Sequence, residues 1–291
     1  VKAIGNARLV GKFENQSPEW HALRKQGVGG SDISSIMRVN PWSSPFTVWA
    51  DKTGVLEKSS SGGSEAMEWG TLLEPVILAK FKSNHPELRI RQSPGTYRAK
   101  NCEWMLANPD GLYRTLDGKW GILEIKTAMY EDDWANGVPL YYQTQVLWYS
   151  AVFGFTAPAR VAVLFHGNKY REFEVEIDDF AQSIYIAEAT KFWELVQSKT
   201  PPEVDGSSST QETVRAMHPD IDDAEVDLGE LFLDYQVSSS DLEEATRENS
   251  RVKSLILQAM GNAKRGVFEG RWVMTRQSRN GGTPFLVEKR G

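Results

Sequence analysis

The chain has 291 residues, enough to bury a substantial core as one large domain or as one domain with a C-terminal appendage. An apolar fraction of 40% with ten Trp and twelve Phe marks a folded globular protein, and the single cysteine, Cys102, excludes an internal disulfide framework and suits a reducing compartment. The net charge of -6 does not advertise a nucleic-acid surface, yet much of the acidic excess falls after Pro202, in residues 220–230 and 241–248, so whole-chain charge can hide a local positive channel.

One Cys and four scattered His also argue against a structural zinc site. No terminal run resembles a signal peptide and no apolar stretch reaches membrane-spanning length, so a soluble, intracellular protein with no membrane partner is expected. The missing initiator Met suggests that at least the first encoded residue is absent.

Residues 1–18 carry little information beyond the mildly basic Lys2, Arg8 and Lys12. Trp20 and Leu23 predict a short helix feeding a glycine turn, after which Ser31 or Asp32 caps a helix beginning near Ile33, with Ile33, Ile36 and Met37 as its buried face. Residues 45–53 predict another helix, with Phe46 and Trp49 in structural roles. The SSSGGS run at 59–64 is a flexible polar break. Residues 68–81 then predict an amphipathic helix with Leu72, Leu73, Val76, Ile77 and Phe81 on its apolar side, and Glu74 beside that run. By itself Glu74 reads as a solvated or helix-paired glutamate.

A strand is expected around 88–92, and the isolated His85 reads as a surface residue. Residues 104–107 lead into Asp110 as the first strand of a hairpin, Asp117-Gly118 makes its turn, and residues 120–127 form the second strand. The two-residue period of a strand puts Glu124 and Lys126 on one side and Leu123 and Ile125 on the other. Residues 140–152 predict a helix on which Tyr142 and Gln145, three apart, share a face that Gln143 does not. Strands at 160–166 and 171–177 and a helix at 179–199 follow, with His166 a strand-end or loop residue. The pattern gives a mixed α/β (α+β) fold with a central mixed sheet flanked by helices.

Pro201-Pro202 and the polar run at 206–209 mark residues 201–211 as a linker between a first domain, 1–200, and a C-terminal accessory region, 212–291. That region predicts helices at 228–237 and 242–260 and a terminal hairpin of 267–275 with 284–288. Its basic residues Lys264, Arg265, Arg271, Arg276 and Arg279 fit DNA contact and plain solvation equally well.

Two carboxylates, Asp110 and Glu124, brought together by a bent sheet repel each other unless a hard cation lies between them, and Mg2+ favours such oxygen ligands. The Ile125 carbonyl offers a further oxygen, and Lys126 would orient the attacking water. A Glu-x-Lys pair alone is weak, because both residues are common on solvated sheet faces.

Pro109-Asp110 followed by Glu124-Ile125-Lys126 resembles the active-site pattern of the PD-(D/E)XK nucleases. Leu23-Arg24, the string at 29–33, the string at 45–54, Glu68-Trp69-Gly70, Leu73-Glu74-Pro75 and Tyr142-Gln143-Thr144-Gln145 occur in the order seen in the YqaJ-like viral recombinase family, relatives of the phage lambda exonuclease. The resemblance covers roughly residues 20–200 and implies a restriction-endonuclease-like core. It implies a Mg2+-dependent exonuclease, with Mn2+ a possible substitute, that digests double-stranded DNA from a 5' end to mononucleotides and exposes a 3' strand for recombination. Asp110, Glu124 and the Ile125 carbonyl would bind metal, with Glu74 as a fourth member directly or through water. Gln145 and Tyr142 would position water or DNA, and Arg24 and Ser31 would hold substrate phosphate. A single-strand annealing protein, a ring homo-oligomer and the cytoplasm of a phage-carrying bacterium are the implied partners and location. A structure- or sequence-selective endonuclease and an inactive DNA-binding recombination scaffold remain the alternatives.

Overall fold

The computed structural model describes residues 3–13, 17–56, 64–93 and 95–289. The chain divides into two units, Val1–Asp220 and Ile221–Gly291. The first contains, in order, β1 (Ala3–Ile4), β2 (Ala7–Gly11), α1 (Pro18–Arg24), α2 (Gly30–Ile36), α3 (Pro45–Thr53), α4 (Glu65–Asn84), β3 (Arg89–Gln92), β4 (Thr96–Ala99), β5 (Leu106–Ala107), β6 (Gly111–Arg114) and β7 (Trp120–Ala128). It continues with α5 (Leu140–Phe153), β8 (Ala159–Phe165), β9 (Lys169–Val175), α6 (Asp179–Ser198) and α7 (Ser208–Met217).

Local chemistry starts these helices. Ser17-Pro18 and Ser44-Pro45 open α1 and α3, each serine accepting a backbone N–H of the first turn and each proline occupying a position that needs no N–H. In α2 the N-cap is Gly29 rather than Ser31 or Asp32. The helix therefore begins at Gly30, three residues before the expected start, and the Asp32 carboxylate reaches back to the Gly29 N–H at 2.8 Å.

The central sheet runs β3-β6-β7-β8-β9, with β7 and β8 parallel and the other pairs antiparallel. The parallel pair is joined through α5, as a parallel connection requires. Strand alternation then sorts the two faces. Ile122, Val161 and Val163 enter the main core with Val146, Trp148 and Val152 of α5, while Leu123, Ile125 and Ala162 meet Ile77, Leu78 and Phe81 of α4. A second sheet, β1-β2-β4-β5, includes the uninformative N-terminus. Residues 104–107 do not form the first strand of the site hairpin: β5 belongs to this second sheet, and β6 takes that place. Asp117-Gly118 does make the turn, with Gly118 at φ 88° and Asp117 accepting from Thr115 Oγ1.

Helix α4 exceeds the expected span at both ends: Ser64 caps its start on the Met67 N–H, and the His85 N–H closes its end on the Phe81 carbonyl. Its buried side is Ile77, Leu78 and Phe81 with Leu73 partly covered, whereas Leu72 and Val76 are exposed. Residues 59–63 of the polar break lie outside the described residues.

Residues 208–211 of the expected linker instead open α7. Thr210, fully buried, donates to Ser44 Oγ at 2.7 Å, and Thr213 and Thr47 hydroxyls meet at 2.9 Å, so α7 packs on α3 within the first unit. The second unit comprises α8 (Glu230–Met260) and the antiparallel sheet β10 (Arg265–Phe268), β11 (Arg271–Gln277) and β12 (Phe285–Glu288). Two expected helices are thus one helix of 31 residues, since the three serines at 238–240 do not break it. The expected hairpin is a three-stranded sheet. Among the described residues no helix is long and apolar enough to cross a membrane.

Candidate active site

The β6–β7 ladder ends at Gly111 opposite Leu123. Beyond it the Asp110 carboxylate replaces backbone pairing, its Oδ2 accepting from the Ile125 N–H at 2.7 Å. Because a strand residue's N–H and C=O point to the same side, the Ile125 carbonyl faces the Asp110 side as well.

Glu124 and Lys126 share the α5 face of β7. Lys126 Nζ donates to Glu124 Oε1 at 2.6 Å and to Gln145 Oε1 at 3.4 Å, and Gln145 Nε2 donates to the same Glu124 oxygen at 2.7 Å. The ammonium lies 4.7 Å from the centre of the Tyr142 ring, a cation–π contact. The structure thus brings together the Glu124, Lys126, Gln145 and Tyr142 side chains named from the sequence, and sets Asp110 on the Ile125 N–H beside them.

Sequence reading missed Tyr149, whose hydroxyl accepts from Gln145 Nε2 at 3.1 Å. The signal was available: Tyr149 is four residues after Gln145 and seven after Tyr142, on one helical stripe. Gln143 stands apart, donating to the Val138 carbonyl at 2.6 Å.

Glu74, half-buried on α4, accepts from Gln92 Nε2 at 3.3 Å. A cleft of about 310 Å³ runs beside it and Asp110, lined also by Trp20, Phe13 and Asn108. Its negative charge reaches both other carboxylates. Burial, then Glu124 and Glu74, push Asp110 well above the usual carboxylate range against the pull of Lys126. Burial raises Glu124 too, and Lys126 only partly offsets it. For Lys126 burial would lower the pKa, but Glu124 and Asp110 overcome it and hold the ammonium charged.

Among the described residues no three His, Cys, Asp or Glu side chains stand together as a ready metal cage. The expected set with Glu74 is therefore not closed by side chains alone: Glu74 bonds to Gln92, and Glu124 Oε1 is taken by Lys126 and Gln145. The donors present still suit a hard cation. Glu124 Oε2 is buried with no hydrogen-bond partner, and Asp110 is raised by burial and then by the neighbouring carboxylates. Mg2+ commonly uses one or two carboxylates and completes its shell with water and substrate oxygens.

A second polar cluster joins α1, α2 and α3. Arg24 Nη2 donates to Ser31 Oγ at 2.8 Å and to Asp32 Oδ1 at 3.0 Å, and its guanidinium lies 4.6 Å from the centre of the Trp20 ring. Lys52 completes it, and sequence reasoning gave that residue no role. The two clusters adjoin at Gly30, where a Cβ would collide with the Tyr149 ring and lie 2.9 Å from Gln145 Cγ.

The YqaJ-like viral recombinase domain model matches residues 19–156, a span that holds Arg24, Ser31, Lys52, Glu74, Asp110, Glu124, Lys126, Tyr142, Gln145 and Tyr149. The uncharacterized protein YqaJ of Bacillus subtilis (strain 168) is 31% identical over 268 residues, covering 89% of this chain and 82% of that protein. The chain belongs to the YqaJ-like viral recombinase family. Protein D345L of African swine fever virus (isolate Tick/Malawi/Lil 20-1/1983) is 40% identical over 157 residues, 46% of this chain and 44% of that protein. The family's fold is matched by the crystal structure of an alkaline exonuclease, LHK-Exo, from Laribacter hongkongensis, with a TM-score of 0.52 at 18% identity over 63% of this chain and 94% of that one. The core is thus a mixed α+β fold, a central sheet flanked by helices, of the kind seen in that exonuclease.

Proposed function

We propose that this chain is a metal-dependent deoxyribonuclease that digests double-stranded DNA from a 5' end, releases mononucleotides and leaves a 3' strand for recombination. The observation that carries the reading is the Asp110–Glu124–Lys126–Gln145 arrangement, in which Glu124 Oε2 is buried without a partner beside a second raised carboxyl. The alkaline exonuclease fold neighbour and the viral recombinase family agree with it.

Asp110 Oδ1, Glu124 Oε2 and the Ile125 carbonyl would hold Mg2+ or Mn2+, with Glu74 acting through water. When bound, such an ion offsets charge on the phosphoryl group and favours ionisation of the attacking water. Lys126, kept protonated by its carboxylate neighbours, orients that water and stabilises the negative charge that develops on it. Gln145 bridges Lys126 and Glu124 and so fixes both donor and acceptor, while Tyr142 packs on the ammonium. Arg24 and Ser31 receive the terminal phosphate through charge-assisted and hydroxyl hydrogen bonds. A single-strand annealing protein and a ring of identical subunits are the partners this role calls for.

The test is time-resolved degradation of end-labelled linear duplex with Mg2+, beside closed circular DNA and a Glu124→Ala control. Progressive release from the 5' end, absent in the control, is the expected result. Cutting of the closed circle would make the protein an endonuclease, and no metal-dependent cleavage by folded protein would leave a binding scaffold.

A further inference from the structure

Lys52 sits on α3 with its side chain 0% exposed, so it cannot touch a ligand. Its ammonium donates to the Arg24 carbonyl at 2.7 Å and to Asp32 Oδ2 at 2.6 Å. Asp32 Oδ2 also accepts from the Gly29 N–H, and Oδ1 accepts from Arg24 at 3.0 Å. Arg24, with 23% of its side chain exposed, is the charged member of the cluster that reaches solvent, beside the exposed Ser31.

Burying a lysine beside an arginine is costly, because like charges then share one carboxylate. The charge count explains what the arrangement achieves. Among the side chains hydrogen-bonded to one another, one anion and two cations leave a net charge of +1, with Asp51 acting on Lys52 from outside that set. Without Lys52, Asp32 would close Arg24 into a neutral pair, and the carboxylate would repel an incoming anion about as strongly as the guanidinium attracted it.

We propose that Lys52 is a positioning residue for recognition of a terminal phosphate on DNA. It neutralises Asp32 from the buried side and leaves the Arg24 charge available, with the guanidinium held in place by Asp32, Ser31 and Trp20. This inference rests on the reading of Arg24 and Ser31 as phosphate ligands. A purely structural staple between α1, α2 and α3 would not depend on the charge of Lys52 in this way.

Competition binding in the absence of metal, between duplexes identical except for 5'-phosphoryl or 5'-hydroxyl ends, tests the proposal without reference to cleavage. The wild type is expected to prefer the phosphorylated end by about tenfold or more, the scale of one hydrogen bond to a charged group. Lys52→Gln keeps a donor toward Asp32 but removes the charge, and the preference should fall about tenfold. Lys52→Gln/Asp32→Asn removes both charges and should recover the preference to within about threefold of wild type. An unchanged preference in Lys52→Gln, or a double variant as poor as the single, makes Lys52 a structural staple and overturns the proposal. Should Lys52→Gln not fold, Asp32→Asn decides: no anion then opposes the Arg24 charge, so the preference holds or rises, and a fall overturns the proposal. Arg24→Ala separates the two layers. If it leaves the preference intact, the phosphate reading falls and takes this inference with it; if it erases the preference and Lys52→Gln does not, the role of Lys52 alone falls.

Discussion

Two lysines in this protein each donate to a buried carboxylate at 2.6 Å, Lys52 to Asp32 and Lys126 to Glu124, yet the two acids respond in opposite directions. Burial pushes both up. At Asp32 the charges of Lys52 and Arg24, with the Gly29 N–H, outweigh it and hold the carboxyl at about 2. At Glu124 the single ammonium is shared with Asp110, Glu74 adds negative charge, and the result is a raised pKa with Oε2 unpartnered. The difference lies in how many cations face each acid and in whether both of its oxygens are paired. A cluster with every oxygen paired fixes geometry, whereas one with an unpaired oxygen and surplus negative charge is prepared for a cation.

The sharpest way to break this comparison is to neutralise each acid. Glu124→Gln should reduce Mg2+-dependent cleavage by at least about a thousandfold, the upper range for loss of one group acting on transition-state charge, while circular dichroism shows a folded protein. Asp32→Ala should act on stability instead. Leaving the fully buried Lys52 without its carboxylate should cost about 3 kcal/mol or more in urea unfolding. A large stability loss in Glu124→Gln and none in Asp32→Ala would reverse the assignment.

The pH dependence sharpens it further. Asp32 has a folded value below its ordinary 3.8, so its contribution is fully present above that range and is lost as pH falls toward about 2. The stability gap between wild type and Asp32→Asn should therefore stay constant from neutrality to about pH 5 and close below it. A gap that instead closed on raising the pH would show that Asp32 is not held ionised by its neighbours. The smallest effect belongs to Tyr149→Phe, which removes one hydrogen bond to Gln145. Turnover should fall about three- to tenfold with DNA binding unchanged; a change in binding alone would move Tyr149 out of the catalytic arrangement.

The acidic and basic residues of the site were legible because the strand period fixes which side chains of β7 share a face, and Glu124 and Lys126 obey it. Tyr142 and Gln145 were legible from helical spacing, and Pro45-initiated α3 was placed at its observed bounds. Tyr149, four residues after Gln145, carried a helical-spacing signal that went unused. Lys52 was not singled out, since it acquires its role from Asp32, 20 residues away in sequence. The hydroxyl network of α7 failed to show for the same reason. Serines and threonines after a Pro-Pro pair read as a linker until Ser44 and Thr47, more than 160 residues away, are brought against them. In α8 the absence of any buried residue left no apolar periodicity strong enough to override the three serines.

At Gly30, helix propensity and packing pull in opposite directions. In an isolated helix, alanine in its place would be the better helix former by about 1 kcal/mol. In this protein the added methyl would push on the Tyr149 ring and on Gln145, which holds both Glu124 and Lys126. A variant library sorted only for soluble, folded protein would retain substitutions at Gly30 that a sort for DNA degradation would discard, and the distance between those two sets measures how closely α2 is fitted to α5.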